Sequence, residues 1–85
     1  MEIRFTKQAL KDLQKVKKVP LIHQRVAKLL SLIENNPFQN PPSYEKLLFA
    51  KNLYSRRINI QHRLVYEVRE KEKLVVIIRM WTHYE

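Results

Sequence analysis

Apolar and polar positions first alternate with a period of two, then shift to helical spacing, and later return to alternation. Glu2-Ile3-Arg4-Phe5 predicts a short strand that Thr6 ends by capping the helix behind it. Ala9, Leu10, Leu13 and Val16 then recur at helical spacing, while Lys7, Lys11, Lys15, Lys17 and Lys18 take other positions, giving an amphipathic helix with a basic outer face. Pro20 suits the first turn of a second helix, where its missing N–H costs nothing, and Ile22, Val26, Leu29, Leu30 and Ile33 form its apolar stripe. The two helices form a hairpin, with His23 facing solvent. Asn35, Asn36 and Pro37 stop the second helix, and Pro37–Ser43, which holds three of the four prolines, is a loop.

The stretch Leu53–Val68 reads as two strands joined at Asn59–Gln61. A second hairpin joins Arg63–Val68 to Leu74–Trp81 across the mixed-charge turn Arg69–Lys73, and LVVII within it has the composition of an interior strand. Glu45–Leu48 fits either a strand or a short turn, and Phe49–Asn52 is ambiguous. With no glycine in the chain, any positive φ falls to Asn, Lys or Glu, and Asn52 and Asn59 are the first candidates. The expected architecture is an α+β sandwich: one N-terminal strand, a two-helix hairpin, then a three-stranded antiparallel meander in one sheet, with residues 1–85 as a single domain.

At 85 residues and 45% hydrophobic content there is material for one small core. Charge adds more. Seventeen basic residues against 8 acidic give a formal net charge of +9, which points to a polyanionic partner such as RNA, DNA or an acidic protein. The absence of cysteine excludes disulfides and thiolate metal sites. No secretory signal or apolar run of membrane-spanning length is present, so the expected location is the cytoplasm, away from membranes. Glu67, Glu70 and Glu72 are read as a solvated turn rather than a metal cluster, and no cofactor is expected.

Arg56, Arg57 and Arg63 interleave with the apolar residues of the first hairpin. Guanidinium groups on adjacent strands offer planar forks of donors to phosphate oxygens, although the same pattern also describes a solvated face of an antiparallel sheet. Strand parity supplies a criterion: Arg57 and Arg63 share a face only if an odd-numbered connection makes them partners. Between Asn35 and Tyr66 the cations Lys46, Lys51, Arg56, Arg57 and Arg63 surround a single carboxylate, Glu45. RNA cleavage by side chains needs a base for the 2′-hydroxyl, cations for the charge on phosphorus and an acid for the leaving 5′-oxygen. Glu45, the pair Arg57 and Arg63, and the terminal His83 with Tyr84 are one candidate set. Each has a plain alternative: Glu45 paired with Lys46 or Lys51, His83 as a frayed terminus, Tyr66 and Tyr84 as packing.

Ser55–Asn59 (SRRIN), His62–Tyr66 (HRLVY) and the terminal His83–Tyr84 together resemble the YoeB/Txe family of bacterial toxins in the RelE/ParE superfamily. The likeness runs over nearly the whole chain, including Phe5-Thr6, Ala9, Asp12-Leu13, Asn36–Phe38, Glu45 and Leu47. It implies a RelE-like ribonuclease fold and a ribosome-dependent mRNA endonuclease, the toxin of a toxin–antitoxin pair. The implied partners are mRNA in the ribosome, ribosomal RNA, an acidic YefM-like antitoxin and a second copy of the chain. By the same resemblance Glu45 is the general base, Arg57 and Arg63 face the scissile phosphate, His83 is the general acid and Tyr84 positions the RNA. The family's lysine three residues after the glutamate is Leu48 here, leaving Lys46 or Lys51 to supply that charge, with Arg56 a further phosphate-binding candidate. The rival reading is a non-catalytic basic module of the same fold, acting on a protein or RNA as gyrase-inhibiting toxins do.

Overall fold

A computed structural model describes residues 1–81; residues 82–85 lie outside the description. The elements run β1 (Glu2–Phe5), α1 (Lys7–Lys17), α2 (Pro20–Asn35), β2 (Glu45–Lys46), β3 (Leu53–Arg57), β4 (Arg63–Arg69) and β5 (Leu74–Arg79), with a single 3₁₀ turn at Glu70–Glu72 between the last two strands. They form a five-stranded sheet in the order β1-β5-β4-β3-β2. β1 is parallel to β5, and every other pairing is antiparallel.

Thr6 ties strand, helix and sheet together. Its Oγ1 accepts from the Ala9 N–H at 3.0 Å as the α1 N-cap and donates to the Ile78 carbonyl at 3.0 Å, while its own N–H donates to Ile77 O. Pro20 opens α2 as expected, and Asn36 follows its last residue as the C-cap. The helices bury Ala9, Val16, Ile22, Val26 and Ile33 against Leu64, Tyr66, Val68, Val75 and Ile77 of the sheet, with Ile58 and Met80 at the ends. Leu10 departs from the expected inner face and stays half exposed. Asp12, completely buried, takes the inward place instead, on the same helix face as Ala9 and Val16.

Asp12 is a clasp for the end of β5. Its Oδ2 accepts from the backbone N–H groups of Met80 (3.0 Å) and Trp81 (3.2 Å), and its Oδ1 accepts from Gln8 Nε2 (3.0 Å). Burial by itself raises the pKa of this carboxyl. The hydrogen bonds from Met80, Gln8 and Trp81 and the charge of Arg79, 3.6 Å away, outweigh it and hold the group below its ordinary value.

One backbone expectation needs correction. Asn52 takes a positive φ of 61°, but the second such residue is Lys73 (φ 52°), closing the 3₁₀ turn, and not Asn59. Asn59 shapes its turn through the side chain, its Oδ1 accepting from the N–H groups of Gln61 (2.9 Å) and His62 (2.7 Å). Glu45–Lys46 is a strand, though of two residues only, and it adds a short edge to the expected meander.

Candidate active site

β3 and β4 are joined by five residues, Ile58 to His62, and their register places Arg57 directly opposite Arg63. The parity criterion is met, so the two guanidinium-bearing residues share a face. Glu45 opposes Ser55, two positions before Arg57 on β3, and therefore lies on that face too. Ser55 and Val65, themselves a directly opposed pair, are both buried and floor this side of the sheet. Pro42, Ser43, Glu45, Arg57 and Arg63 line a cleft of about 320 Å³.

Inside the cleft Arg63 is held at one edge of its fork. Its Nε donates to Ser55 Oγ at 2.6 Å, and its Nη2 lies 3.4 Å from Glu45 Oε1. The Arg63 side chain is 19% exposed and that of Glu45 69%, so the carboxylate is solvated and accessible while the cation is set into the sheet. Arg57 is exposed. A carboxylate acceptor and two guanidinium donors thus converge on one open hollow, an arrangement able to bind a phosphodiester and take a proton from a neighbouring hydroxyl.

Arg56 does something other than expected. As the neighbour of Arg57 on a strand it must face the opposite side, and it is fully buried there. Its Nε donates to the Tyr66 hydroxyl (3.0 Å), Nη1 to Pro42 O (2.7 Å), and Nη2 to Pro37 O (3.0 Å) and Gln39 O (2.8 Å). The guanidinium also sits 4.9 Å from the centre of the Tyr44 ring, and Tyr66 donates its own O–H to Pro37 O (2.8 Å). Arg56 is the clamp of the proline-rich loop that leads into Glu45, not a phosphate ligand. Burial pushes the Tyr66 phenol above its ordinary pKa, against the opposing hydrogen bond and charge of Arg56. Phe38, Tyr44, Tyr54 and Tyr66 pack in tilted, edge-to-face and stacked pairs around this clamp.

Neither Lys46 nor Lys51 lines the cleft. Lys46 opposes Tyr54, which places it on the other face, and Lys51 lies in the turn between β2 and β3 with Leu48 and Phe49, both largely exposed. His83 and Tyr84 lie outside the described residues. At the end of the described chain the Trp81 ring stacks on that of buried His62, with centroids 4.0 Å apart.

Two residues were missed from the sequence, Asp12 as a clasp and Arg56 as a clamp. Helical spacing puts Asp12 with Ala9 and Val16, and strict alternation separates Arg56 from Arg57; both signals were present.

A five-stranded sheet backed by a helix hairpin is the fold of the RelE/YoeB-type toxins. The chain belongs to the family described as the ParE toxin of type II toxin–antitoxin systems, whose family model matches residues 3–85. The YoeB dimer of Staphylococcus aureus superposes with a TM-score of 0.85 at 31% identity, covering 99% of this chain and 98% of that one. The same species' YoeB–YefM complex matches with a TM-score of 0.82, also at 31% identity, over 99% and 98% of the two chains. A YoeB/ParE toxin from Agrobacterium tumefaciens gives a TM-score of 0.88 at 23% identity over 99% and 100%, a likeness of fold. No curated protein sequence matches significantly. No helix among the described residues is long and apolar enough to cross a membrane.

Proposed function

We propose that this toxin is a cytoplasmic, ribosome-dependent mRNA endoribonuclease. The observation that carries the reading is the placement of Glu45, 3.4 Å from Arg63, on a face where Arg63 is paired directly with Arg57. In the proposed step Glu45 takes the proton of a ribose 2′-hydroxyl as its oxygen bonds to the adjacent phosphorus. Arg63 and Arg57 hold the charge that builds on the phosphate oxygens. The bond from phosphorus to the 5′-oxygen breaks, and His83 gives that oxygen a proton, leaving a 2′,3′-cyclic phosphate and a 5′-hydroxyl. Tyr84 positions the RNA.

The cleft is open and holds few groups to orient a nucleotide, so the ribosome supplies the alignment of hydroxyl, phosphorus and leaving oxygen. Ribosomal RNA is a partner for the lysines of α1. A YefM-like antitoxin and a second copy of the chain are the protein partners, by analogy with the S. aureus complex and dimer. Primer extension on a translated mRNA, with and without ribosomes, tests the proposal: cuts within codons that need ribosomes support it, and intact transcripts under all conditions reject it.

A second reading is favoured by the matching family model, a ParE toxin model. On that reading the face binds a protein or nucleic-acid target without turnover, and the pair of Glu45 and Arg63 is an ordinary surface ion pair.

A further inference from the structure

The turn between β2 and β3 puts two large apolar side chains into solvent. Leu48 is 97% exposed and Phe49 78%. Neither belongs to the core, and the Phe49 ring stands apart from the aromatic cluster around Arg56. The turn that presents them is braced by its backbone. The Leu47 N–H donates to Leu53 O at 2.9 Å, and the Val68 N–H of β4 donates at 3.0 Å to the carbonyl of Asn52, the residue with the positive φ. A hollow of about 400 Å³ opens here, lined by residues 46 to 51, and among the described residues its ionisable groups are Lys46 and Lys51, one at each end of that stretch. Adjacent apolar side chains held out on a fixed turn mark a contact surface.

We propose that Phe49 is a stacking platform for one nucleobase of a single-stranded RNA, with Lys46 and Lys51 against the phosphates on either side of that base. The ring supplies a flat π-face that any base can cover, and the lysines attract the backbone whatever its sequence, the two ingredients of single-strand binding. Leu48 extends the apolar surface beside the ring. Charge selects the occupant: the chain carries +9, and no carboxylate among the described residues lining the hollow repels a polyanion. Lys46, turned away from the cleft by its pairing with Tyr54, thereby gains a use. Glu45 and Phe49 stand four residues apart on one hairpin, so their Cα atoms are within about 14 Å, and a strand gripped in the cleft can continue to the turn. This deepens the nuclease reading, and rests on RNA being the ligand, by adding a base contact outside the cleft. Because stacking reads no base edge, the contact fixes the path of the strand and not the sequence that is cut.

The test measures binding of 2′-O-methyl RNA oligonucleotides, which have no free 2′-hydroxyl to attack, to the full-length chain by fluorescence anisotropy at low salt. Wild type is compared with Phe49→Tyr, Phe49→Leu, Phe49→Ala and Lys51→Gln, and each oligonucleotide is also made with a single abasic nucleotide at successive positions. Phe49 and Lys51 are exposed, so these changes leave the core untouched. Phe49→Leu and Phe49→Ala should each weaken binding about tenfold, whereas Phe49→Tyr, which keeps the ring, stays within about twofold of wild type. One abasic position should cost the wild type about tenfold and cost Phe49→Ala nothing further. Lys51→Gln should lower the salt dependence by about one phosphate contact. Wild-type affinity in Phe49→Leu overturns the proposal, because bulk without a ring then suffices. So does indifference of the wild type to every abasic position, or the absence of any RNA binding, which leaves the turn to a protein or a lipid surface. Cleavage of translated mRNA is assayed separately: if the wild type does not cut while the abasic effect persists, the nuclease reading falls and the stacking contact stands.

Discussion

Arg63 Nε donates to Ser55 Oγ at 2.6 Å, and this bond fixes the direction in which the rest of the guanidinium points. Ser55 is 2% exposed, so its hydroxyl is a rigid stop within the sheet. Ser55→Ala keeps the backbone pairing but frees Arg63 to rotate. Stability should fall by about 1 kcal/mol, the worth of one such bond. Cleavage should fall by about tenfold or more, chiefly in kcat, because a misaligned cation still attracts RNA. Single-turnover cleavage beside a urea titration separates the two effects; a loss confined to stability rejects a positioning role for Ser55.

Arg56 supplies four hydrogen bonds from one buried group, three of them to carbonyls of the proline-rich loop. Arg56→Lys retains the charge without the planar fork and leaves buried acceptors unmet. A loss of about 3 kcal/mol is expected, from two or three unsatisfied groups at 1–3 kcal/mol each with partial relaxation. Amide exchange should accelerate first between Pro37 and Glu45. Uniform acceleration across the chain contradicts the loop-clamp role.

Asp12 makes stability depend on pH in the acid range. Its carboxyl is held below the ordinary value in the folded chain, so the unfolded chain binds a proton first as pH falls. The stabilisation is complete above the unfolded pKa, near 4, and is lost as pH drops through the lower folded value. Asp12→Asn should remove that part of the slope below about pH 4, and at neutral pH it should cost about 1–3 kcal/mol by setting an amide against the N–H groups of Met80 and Trp81. Urea midpoints from pH 2 to pH 7 decide the matter; an unchanged acid slope in the variant contradicts the assignment.

Much of this fold is legible from local chemistry. Thr6, Pro20 and Asn36 mark helix ends by what their side chains or rings do there, and the pleat states the condition, a register that pairs Arg57 with Arg63, which the structure meets. What escaped depends on contacts far apart in sequence. The parallel pairing of β1 with β5 joins strands separated by most of the chain, and Asp12 acquires its role only when Met80 and Trp81 arrive over α1. Arg56 reads as a surface cation until the proline-rich loop folds over it and offers three carbonyls. Lys46 and Lys51 are basic and near Glu45 in sequence, but pairing with Tyr54 turns the first away from the cleft and the turn before β3 holds the second.

The most direct test of the account is Glu45→Gln, compared with the wild type in cleavage of translated mRNA and in ribosome affinity. Glu45 is largely exposed, so its ion pair contributes at most about 1 kcal/mol to stability and the variant should fold and bind ribosomes normally. Loss of a general base predicts a fall of about 10² to 10⁴ in the cleavage rate with affinity retained. Cleavage at the wild-type rate contradicts the central claim.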